Sequence, residues 1–292
     1  MRLRAMAKIN LGLDVIGKRE DGYHEVRMIM QTIKMYDMLE IRRKSSPGIS
    51  LSVNLPYVPC DERNLVYRSA KLLMDEFGVK EGLTMKLAKT IPVAAGMAGG
   101  SSDAAAAFVG VNRLFRLGLS RKELMERAVQ IGADVPYCIM RGTALAEGIG
   151  EKLTELPPLP DCYILIGKPA VNVSTKTAYE NLNLEKIGKR PDIDGMIRDI
   201  RNRDLYTMTE KMENVFEPGI VEKYPVIGEI RDFMTKRGAI KAMMSGSGPT
   251  VFGIFDDAGR VRSAAKALKA SGLARTVFAT RTYNPGGGTE DE

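Results

Sequence analysis

The sequence has few residues of the types that build metal centres and disulfide frameworks: one histidine, three cysteines and no tryptophan in 292 residues. With His24 as its single imidazole, most metal-site and catalytic-triad chemistry is excluded. Cys60, Cys138 and Cys162 are far apart and form no C-x-x-C pair. Their spacing disfavours disulfides and a zinc site, and it favours a reducing compartment.

Long hydrophobic runs are also missing. No uninterrupted apolar stretch reaches the roughly 18 residues that a membrane-spanning helix needs. The N-terminal segment carries Arg2, Arg4 and Lys8 without the apolar core of a secretory signal. These absences predict a cytoplasmic protein with no membrane partner.

Length and charge narrow the class of protein further. The 292 residues, 44% of them hydrophobic, can bury a substantial core and favour two medium-sized domains over one large one. The net charge of +7 is compatible with nucleic acid, anionic small molecules or a lysine-rich surface. Because 36 acids are interspersed among 43 bases, an ordinary solvated surface explains the charge equally well.

The first half of the chain has α/β patterning. Residues 3–16 and the run "YHEVRMIMQTI" flank the turn "GKREDG", and their partial alternation of apolar and polar residues predicts paired strands. A helix is expected over "NLVYRSAKLLMDEFG", closing at Gly78, and a strand over "LTMKLAK". Ser120 and Glu123 have capping-box spacing, which predicts the start of another helix.

Three prolines in "TELPPLPD" predict a domain boundary near residues 157–161. Beyond it the patterns indicate a strand, helices across residues 174–237, two strands, a helix and a strand. This βαββαβ order is typical of ferredoxin-like domains, here with extra helices in the first crossover. We therefore predict an α+β fold with domains at 1–158 and 159–284, and a disordered acidic tail at 285–292.

The stretch "PVAAGMAGGSSDAAAA", residues 92–107, leads from a predicted strand into a predicted helix. Backbone N–H groups converge on an anion where side chains are small, and a helix N-terminus adds partial positive charge, so a phosphate-binding loop is predicted. No G-x-x-x-x-G-K-S/T occurs and no G-x-G-x-x-G follows a strand, which excludes Walker and Rossmann loops. Ser101 and Ser102 are expected to cap the helix and to offer hydroxyls to phosphate or magnesium. A tightly packed strand-to-helix turn is the structural alternative.

Further clusters accompany this loop. The segment "AKINLGLDVIGKREDGYHEV" surrounds the predicted hairpin with Lys8, Asn10, Tyr23 and His24. "GADVPYCIM" holds Asp134 at a position suited to a helix cap, and "MSGSGPTVF" supplies a second glycine loop after a strand. Taken alone, single aspartates and lysines are more often structural or exposed, so these clusters are informative only together.

Together, "AKINLGL", "PVAAGMAGGSSDAAAA" and "SGSGPTVF" resemble the three signature regions of the galactokinase, homoserine kinase, mevalonate kinase and phosphomevalonate kinase (GHMP) superfamily. "DGYHEV" and "GADVPY" make the chain most similar to the branch that phosphorylates diphosphocytidyl-methylerythritol in the non-mevalonate isoprenoid pathway. The similarity covers about residues 7–255. It implies an N-terminal domain related to one in ribosomal proteins, a ferredoxin-like C-terminal domain and an active site in the cleft between them.

The resemblance implies that the γ-phosphoryl group of ATP, with Mg²⁺, is transferred to a hydroxyl of the acceptor. It makes Asp134 the catalytic base and Lys8 the neighbour that holds this carboxylate ionised and steadies the transferring charge. It places ATP at Asn64, Lys89, Pro92, Val93, Ala94, Ala95, Gly96, Met97, Ala98, Gly99, Gly100, Ser101 and Ser102. It places the acceptor at Asn10, Tyr23, His24, Thr175, Tyr179, Gly246 and Ser247, with the two tyrosines and the histidine at the cytosine ring.

The loop departs from the superfamily pattern. Ala94, Ala95 and Ala98 stand where glycine is frequent, and Met97 stands where leucine is usual. Because alanine disfavours positive φ, the sequence does not require these positions to follow the same backbone path. Magnesium ligands are left unassigned, since this ion is often held by substrate phosphates and water.

The sequence leaves two alternative functions open. A homoserine or mevalonate kinase would keep the loop and lack "DGYHEV". An RNA-binding module would fit the basic charge, but "IRRKSS" and "RDIRNRD" are short, lack interleaved aromatics and lie among acids. The expected partners are therefore ATP and the cytidine-containing alcohol, with no nucleic acid, and the expected assembly is a monomer or homodimer.

Overall fold

A long antiparallel hairpin organises the first half of the computed structural model, which describes residues 1–285. Strand β1 (Arg2–Lys18) pairs with β2 (His24–Lys44), as the alternating pattern predicts. The pairing register slips on both sides of the segment from Lys8 to Asn10. Such irregularities turn side chains away from the regular alternation, and here they occur at predicted site residues.

Two further strands of the first sheet pair with different halves of β2. Strand β4 (Gly82–Ala88) pairs with the C-terminal half of β2, and β5 (Thr143–Gly148) pairs with its N-terminal half, both antiparallel. Strand β3 (Ile49–Val53) lies parallel beside β4, and β6 (Lys152–Glu155) lies antiparallel beside β5. The long strand β2 therefore fixes the position of β4, which leads to the glycine-rich loop, relative to β5.

Helices in the first half pack on this sheet. They are α1 (Leu65–Glu76), α2 (Gly99–Phe115), α3 (Arg121–Ala128) and α4 (Val135–Met140). The predicted capping box at the start of α3 is confirmed, because the side chains of Ser120 and Glu123 each bond the backbone N–H of the other.

Helix α2 approaches the hairpin closely because its inward residues are small. Ala104, Ala107 and Phe108 are fully buried, and a Cβ atom at Gly110 would lie 3.1 Å from Leu3 Cδ1. Close packing of this kind tolerates little added volume. The alanine-rich sequence therefore lets the first turn of α2 reach the residues that follow β4.

Strands β7 (Tyr163–Lys168), β8 (Lys241–Met244), β9 (Val251–Phe255) and β10 (Thr276–Arg281) form an antiparallel sheet in the second half. Their spatial order is β10-β7-β9-β8, so the first and third strands are central. Helix α10 (Ala258–Ser271) makes the second crossover. The predicted βαββαβ arrangement and the α+β class are confirmed.

The first crossover contains the additional helices that the sequence predicts. They are α5 (Thr175–Glu180), a 3₁₀ helix (Leu184–Lys186), α6 (Ile193–Arg201), α7 (Leu205–Glu210), α8 (Glu217–Lys223) and α9 (Pro225–Lys236). Helix α6 packs against the hairpin: a Cβ atom at Gly12 would lie 3.0 Å from both Ile193 Cδ1 and Met196 Sδ. Material from the second half therefore covers β1 directly.

An apolar cluster joins the two halves of the chain. Ile29 and Ile33 of β2 belong to the same buried cluster as Ile164 of β7 and Met196 of α6. Burial of apolar surface across this junction stabilises the arrangement of the two sheets. The cleft between them is consequently lined from both sides.

The predicted domain boundary falls in residues 156–162, which belong to no helix or strand and lie between β6 and β7. The division into 1–158 and 159–284 stays a prediction. The predicted tail at 285–292 lies outside the described residues apart from Pro285. No helix within residues 1–285 is long and apolar enough to cross a membrane.

Candidate active site

A cavity of about 910 Å³ opens between the two halves of the chain. Its lining comes from β1, the turn after β1, the loop between β4 and α2, the residues before α4, helix α5 and the second glycine loop. A cavity of this size accommodates a nucleotide-sized ligand.

Most of the predicted site residues line this one cavity. Those in the lining are Lys8, Asn10, Tyr23, His24, Ala94, Ala95, Gly96, Ala98, Gly99, Gly100, Ser101, Asp134, Thr175, Tyr179, Gly246 and Ser247. Those outside the lining are Asn64, Lys89, Pro92, Val93, Met97 and Ser102. Three of these, Pro92, Val93 and Met97, belong to the loop, and the other three make structural contacts that are described below.

Lys8 and Asp134 form an ion pair in the cavity. The Lys8 ammonium lies 3.6 Å from the Asp134 carboxylate and donates a 2.8 Å hydrogen bond to the Asn10 side-chain oxygen. The Lys8 side chain is 7% exposed and that of Asp134 is 31% exposed. A largely desolvated cation thus faces a carboxylate that a ligand can reach. The general expectation that a single lysine is exposed does not hold for Lys8.

Asp134 precedes α4 in the position of a helix cap, but its side chain makes no capping hydrogen bond. The reading of Asp134 as a plain helix cap is therefore wrong. Pro136 follows in the first turn of α4, as the sequence indicates. The short helix fixes the backbone of Asp134 while its carboxylate points to Lys8.

The loop between β4 and α2 has left-handed backbone at alternate positions. The angle φ is +51° at Ala94, +72° at Gly96 and +53° at Ala98. Turns that contain left-handed residues create concave groups of N–H donors, and α2 begins immediately after this loop. The two alanines accept a conformation that costs about 1–2 kcal/mol each, so the loop takes this path without glycine at either position.

Gly96 lies where the first loop meets the second glycine loop. Its carbonyl accepts a 2.9 Å hydrogen bond from the Ser245 hydroxyl, and a Cβ atom at Gly96 would overlap the Ser245 carbonyl oxygen. Across the contact, Gly246 has φ +57°, and a Cβ atom there would lie 3.1 Å from the Gly96 oxygen. The second loop therefore packs directly on the first and is not an isolated hairpin turn.

A buried asparagine that the sequence analysis missed supports the second loop. The Asn214 side-chain amide donates 2.8 Å hydrogen bonds to the carbonyls of Met244 and Gly246. The hydroxyl oxygens of Thr175 and Ser247 lie 2.9 Å apart, which joins α5 to the same loop. No local signal marks Asn214, because it lies in a segment that the patterns describe only as part of a helical region.

The two serines after the first loop have different surroundings. Ser101 lines the cavity, whereas Ser102 is 1% exposed and its hydroxyl donates a 2.5 Å hydrogen bond to the Met6 carbonyl. The prediction that Ser101 or Ser102 caps α2 is wrong, because Ala98 is the cap residue and the helix begins at Gly99. Of the two hydroxyls, that of Ser101 reaches the cavity, and that of Ser102 is turned into the interior.

Lys89 lies behind the loop in a buried ion cluster. Its ammonium pairs with Asp37 and, at 2.6 Å, with Asp103 of α2. Asp37 also accepts hydrogen bonds from the backbone N–H groups of Thr90 and Ile91. The cluster therefore ties β2, the chain that enters the loop and the second turn of α2 together.

Two carboxylates share one ammonium in this cluster. Burial raises the pKa of Asp103 well above its ordinary value, Lys89 opposes that rise, and Asp37 adds to it. One oxygen of Asp103 has no hydrogen-bond partner. The Lys89 ammonium is paired with these two carboxylates and does not line the cavity. Lys89 therefore supports the loop from behind, and its predicted contact with ATP stays a prediction.

Asn64 is likewise used by its own surroundings. Its side-chain oxygen accepts a 2.9 Å hydrogen bond from the Val66 N–H at the start of α1, and its amide donates a 2.7 Å bond to the Pro59 carbonyl. The next residue, Leu65, lines the cavity. The predicted contact of Asn64 with ATP stays a prediction, and the structure shows a helix cap.

Met97 connects the loop to β1 through its backbone. Its side chain is buried in the apolar core, while its carbonyl accepts a 3.2 Å hydrogen bond from the Lys8 N–H. Pro92 and Val93 lie at the start of the loop, outside the cavity lining. These residues shape the loop and fix it beside the ion pair.

Aromatic side chains line another part of the cavity. The ring centroids of His24 and Tyr179 are 5.1 Å apart, and Phe216 packs edge-on against Tyr179 at 4.7 Å. Tyr23 is 61% exposed beside them. The family resemblance predicts that Tyr23, His24 and Tyr179 lie together, whereas Phe216 carries no motif.

The rings of His24 and Tyr179 are uncharged at neutral pH. Burial, with a smaller contribution from Lys18, lowers the pKa of His24, and burial raises the pKa of Tyr179 to about 12. Neutral aromatic faces suit a flat, uncharged ring such as a nucleobase.

The donor set fits a divalent cation that arrives with a ligand. Within residues 1–285, no group of three His, Cys, Asp or Glu side chains could hold a metal ion. The cavity does offer the Ser101 hydroxyl and the Asp134 carboxylate. Magnesium is often held by one or two such oxygens together with substrate phosphates.

Known proteins are similar to this chain in sequence and in fold. The chain matches the family described as "GHMP kinases N terminal domain" over residues 64–142 and "GHMP kinases C terminal" over residues 196–273. The 4-diphosphocytidyl-2-C-methyl-D-erythritol kinase of Lachnospira eligens is 53% identical over 98% of this chain and 99% of its own length.

Solved structures agree with these relatives. A crystal structure of 4-(cytidine 5'-diphospho)-2C-methyl-D-erythritol kinase has a TM-score of 0.83 and 32% identity, covering 97% of this chain and 99% of that one. A homoserine kinase from Cytophaga hutchinsonii has a TM-score of 0.73 and 19% identity, covering 94% and 93%. The latter shows only that the fold is shared.

Substitution Gly96→Ala tests the contact between the two loops. The added Cβ would overlap a backbone oxygen at a left-handed position, so the loops must separate. We expect calorimetry to show at least about tenfold weaker binding of a non-hydrolysable ATP analogue, because the loop loses its binding geometry. In Gly188→Ala the new Cβ meets nothing within 4 Å, and binding should not change. Equal affinity in the two variants would contradict the prediction that the first loop binds the nucleotide in the geometry that its contact with the second loop holds.

Substitution Lys89→Met tests the ion cluster. It leaves Asp37 and Asp103 buried without their cation, which should cost about 3–5 kcal/mol of unfolding free energy in urea titrations. Asp103→Asn should cost less, because it removes one of two carboxylates that share the ammonium. Wild-type stability in Lys89→Met would show that the cluster does not support the fold.

Proposed function

The chain belongs to the 4-diphosphocytidyl-2-C-methyl-D-erythritol kinase family of the GHMP kinases. We propose how the residues of the cavity phosphorylate 4-diphosphocytidyl-2-C-methyl-D-erythritol. The reaction transfers the γ-phosphoryl group of ATP to the 2-hydroxyl, giving the 2-phosphate and ADP, in the methylerythritol phosphate pathway. One observation carries the proposal: a single cavity is lined by the left-handed loop, the Lys8–Asp134 pair and the aromatic group.

The triphosphate of ATP would lie against the first loop. The left-handed positions at Ala94, Gly96 and Ala98 and the start of α2 favour an anion there. The Ser101 hydroxyl is the side-chain donor at this place. Magnesium would arrive bound to ATP, with its oxygen ligands coming mainly from the phosphates.

Phosphoryl transfer depends on positioning and on charge stabilisation more than on covalent chemistry of the protein. The acceptor oxygen attacks the γ-phosphorus, and the bond from that phosphorus to the β,γ-bridging oxygen breaks. Asp134 accepts the hydroxyl proton, and ADP leaves with the bridging oxygen. Lys8 stabilises the negative charge of the carboxylate and of the transferring group, and Asn10 fixes the direction of its ammonium.

The cytosine ring of the acceptor would occupy the aromatic group. Tyr179 and Tyr23 offer stacking faces, and the neutral His24 offers one donor and one acceptor nitrogen to the edge of a base. Phe216 supports Tyr179 from behind. Thr175 and Ser247 would provide hydroxyl contacts to the acceptor, with the second loop at Gly246 closing the cavity on that side.

The homoserine kinase alternative has support at the level of the fold alone. A phosphorylation assay compares the acceptors directly: the protein is incubated with magnesium ATP and each alcohol, and phosphorus NMR monitors a new phosphomonoester. A product with diphosphocytidyl-methylerythritol, and none with homoserine or mevalonate, is expected.

A cytoplasmic location and a monomeric or homodimeric state stay predictions.

Substitution Asp134→Asn tests the general base. The amide keeps the size of the side chain but cannot accept the hydroxyl proton, so kcat should fall by roughly 10²- to 10⁴-fold. Affinity for the ATP analogue should stay near the wild-type value. The exposed Asp161→Asn is the matched control and should retain full kcat. Near-normal kcat in Asp134→Asn would remove this residue from the mechanism.

Substitution Tyr179→Leu tests the base-binding group. Loss of one stacking face, worth about 1–3 kcal/mol, should raise KM for the cytidine-containing acceptor by about 5- to 150-fold and leave KM for ATP unchanged. Tyr179→Phe keeps the ring and should behave like the wild type. Equal increases in KM for both substrates in Tyr179→Leu would indicate a general structural defect instead.

A further inference from the structure

A second cavity, of about 400 Å³, lies between the start of β1, helix α2 and the end of α4. We call it the arginine pocket, because its lining includes Arg2, Arg4, Arg113, Arg121 and Arg141. No aspartate or glutamate of the described chain lines it. A concentration of one charge is unusual in a protein whose acids and bases are otherwise interspersed.

Within residues 1–285, much of this positive charge is not neutralised by a buried carboxylate. Arg2 pairs with Glu40 at 3.3 Å and Arg121 with Glu155 at 3.0 Å, and both arginine side chains are more than half exposed, so these pairs are weak. The other three arginines have no carboxylate within 4.0 Å among residues 1–285. The pocket is therefore attractive to an anion.

Contacts with aromatic rings hold two of the unpaired guanidinium groups in place. Arg4 lies 5.2 Å from the centre of the Tyr36 ring, and Arg141 lies 6.0 Å from that of Tyr283. Arg141 also donates a 3.0 Å hydrogen bond to the Arg4 carbonyl. Stacked guanidinium groups keep in-plane N–H donors for a phosphate and lose little further side-chain freedom on binding it.

The remaining lining of the pocket is mostly apolar. It includes Leu3, Met6, Val109, Leu124, Ile139 and Met140. A complementary ligand therefore has an anionic end for the arginines and an apolar end for this surface. A pocket of about 400 Å³ fits a small molecule better than a nucleic acid strand, which needs a long basic groove with stacking aromatics.

The arginine pocket and the active site are separate but share two helices. No described residue lines both cavities. Helix α4 follows Asp134 and ends in the pocket, and Cys138 of α4 lies 3.3 Å from the Ser102 hydroxyl of α2. A ligand in the pocket would thus contact the opposite sides of the helices that carry the catalytic carboxylate and the loop.

We propose that the arginine pocket is a second ligand site, which takes a small phosphate ester with a short apolar group. Neither ATP nor the acceptor needs it, because the catalytic residues face the other cavity. The proposal rests on the placement of the arginines and the apolar surface, and it is independent of the identity of the acceptor.

Calorimetric titration with n-hexyl phosphate tests this site. The full-length protein is first saturated with a non-hydrolysable ATP analogue and magnesium, so that the phosphate loop is already filled. We expect one equivalent of hexyl phosphate to bind. Inorganic phosphate, which leaves the apolar surface uncovered, should bind at least about tenfold more weakly, since burial of the alkyl chain adds to the affinity.

The variant Arg4→Gln/Arg113→Gln should bind hexyl phosphate at least about tenfold more weakly, because two charged donors to the phosphate are lost. Arg262→Gln changes an exposed arginine of α10, away from the pocket, and should bind like the wild type. Unchanged kinase activity in both variants shows that they are folded. No binding to the wild type, equal binding to the double variant, or equally tight binding of inorganic phosphate would overturn the proposal.

Discussion

The candidate site depends on the direct approach of two backbone segments, one from each half of the chain. Gly96 and Gly246 meet without side chains between them, and Ser245 bridges the contact: its hydroxyl accepts from the Asn10 N–H at 3.4 Å and donates to the Gly96 carbonyl. If the two loops stood farther apart, Gly246, Ser247 and Thr175 would move away from the first loop and from the Lys8–Asp134 pair, which lie together in the first half of the chain. Small residues at this point therefore decide whether the two halves form one site.

Buried polar groups provide the complementary support. The Lys89 cluster fixes the chain where it enters the first loop and where it leaves it, and Asn214 fixes the second loop by its carbonyls. Burying such groups is unfavourable unless they are paired, so they hold one particular geometry and no other. The loops themselves contribute few side chains and are positioned from outside.

Local patterns predicted much of the fold, while long-range pairings escaped them. Alternation and strand order identify the hairpin and the ferredoxin-like half because these signals repeat within a few residues. The partners of Lys89 and the position of Phe216 depend on residues distant in sequence, and no periodicity reports them. The inward turn of Ser102 escaped for a related reason: its acceptor is the Met6 carbonyl on another element. The motifs brought Lys8 and Asp134 together correctly as neighbours, although their catalytic roles stay proposals.

The two alanines of the first loop have a consequence for the protein before any ligand arrives. A methyl group makes the left-handed region costly at Ala94 and Ala98, so a free peptide of this sequence would leave it for the extended or right-handed regions. The folded surroundings must therefore hold this path, through the bonds of Ser245 to Gly96 and of Lys8 to Met97. A change that weakens these surrounding contacts would release the loop even if no residue of the loop itself were altered.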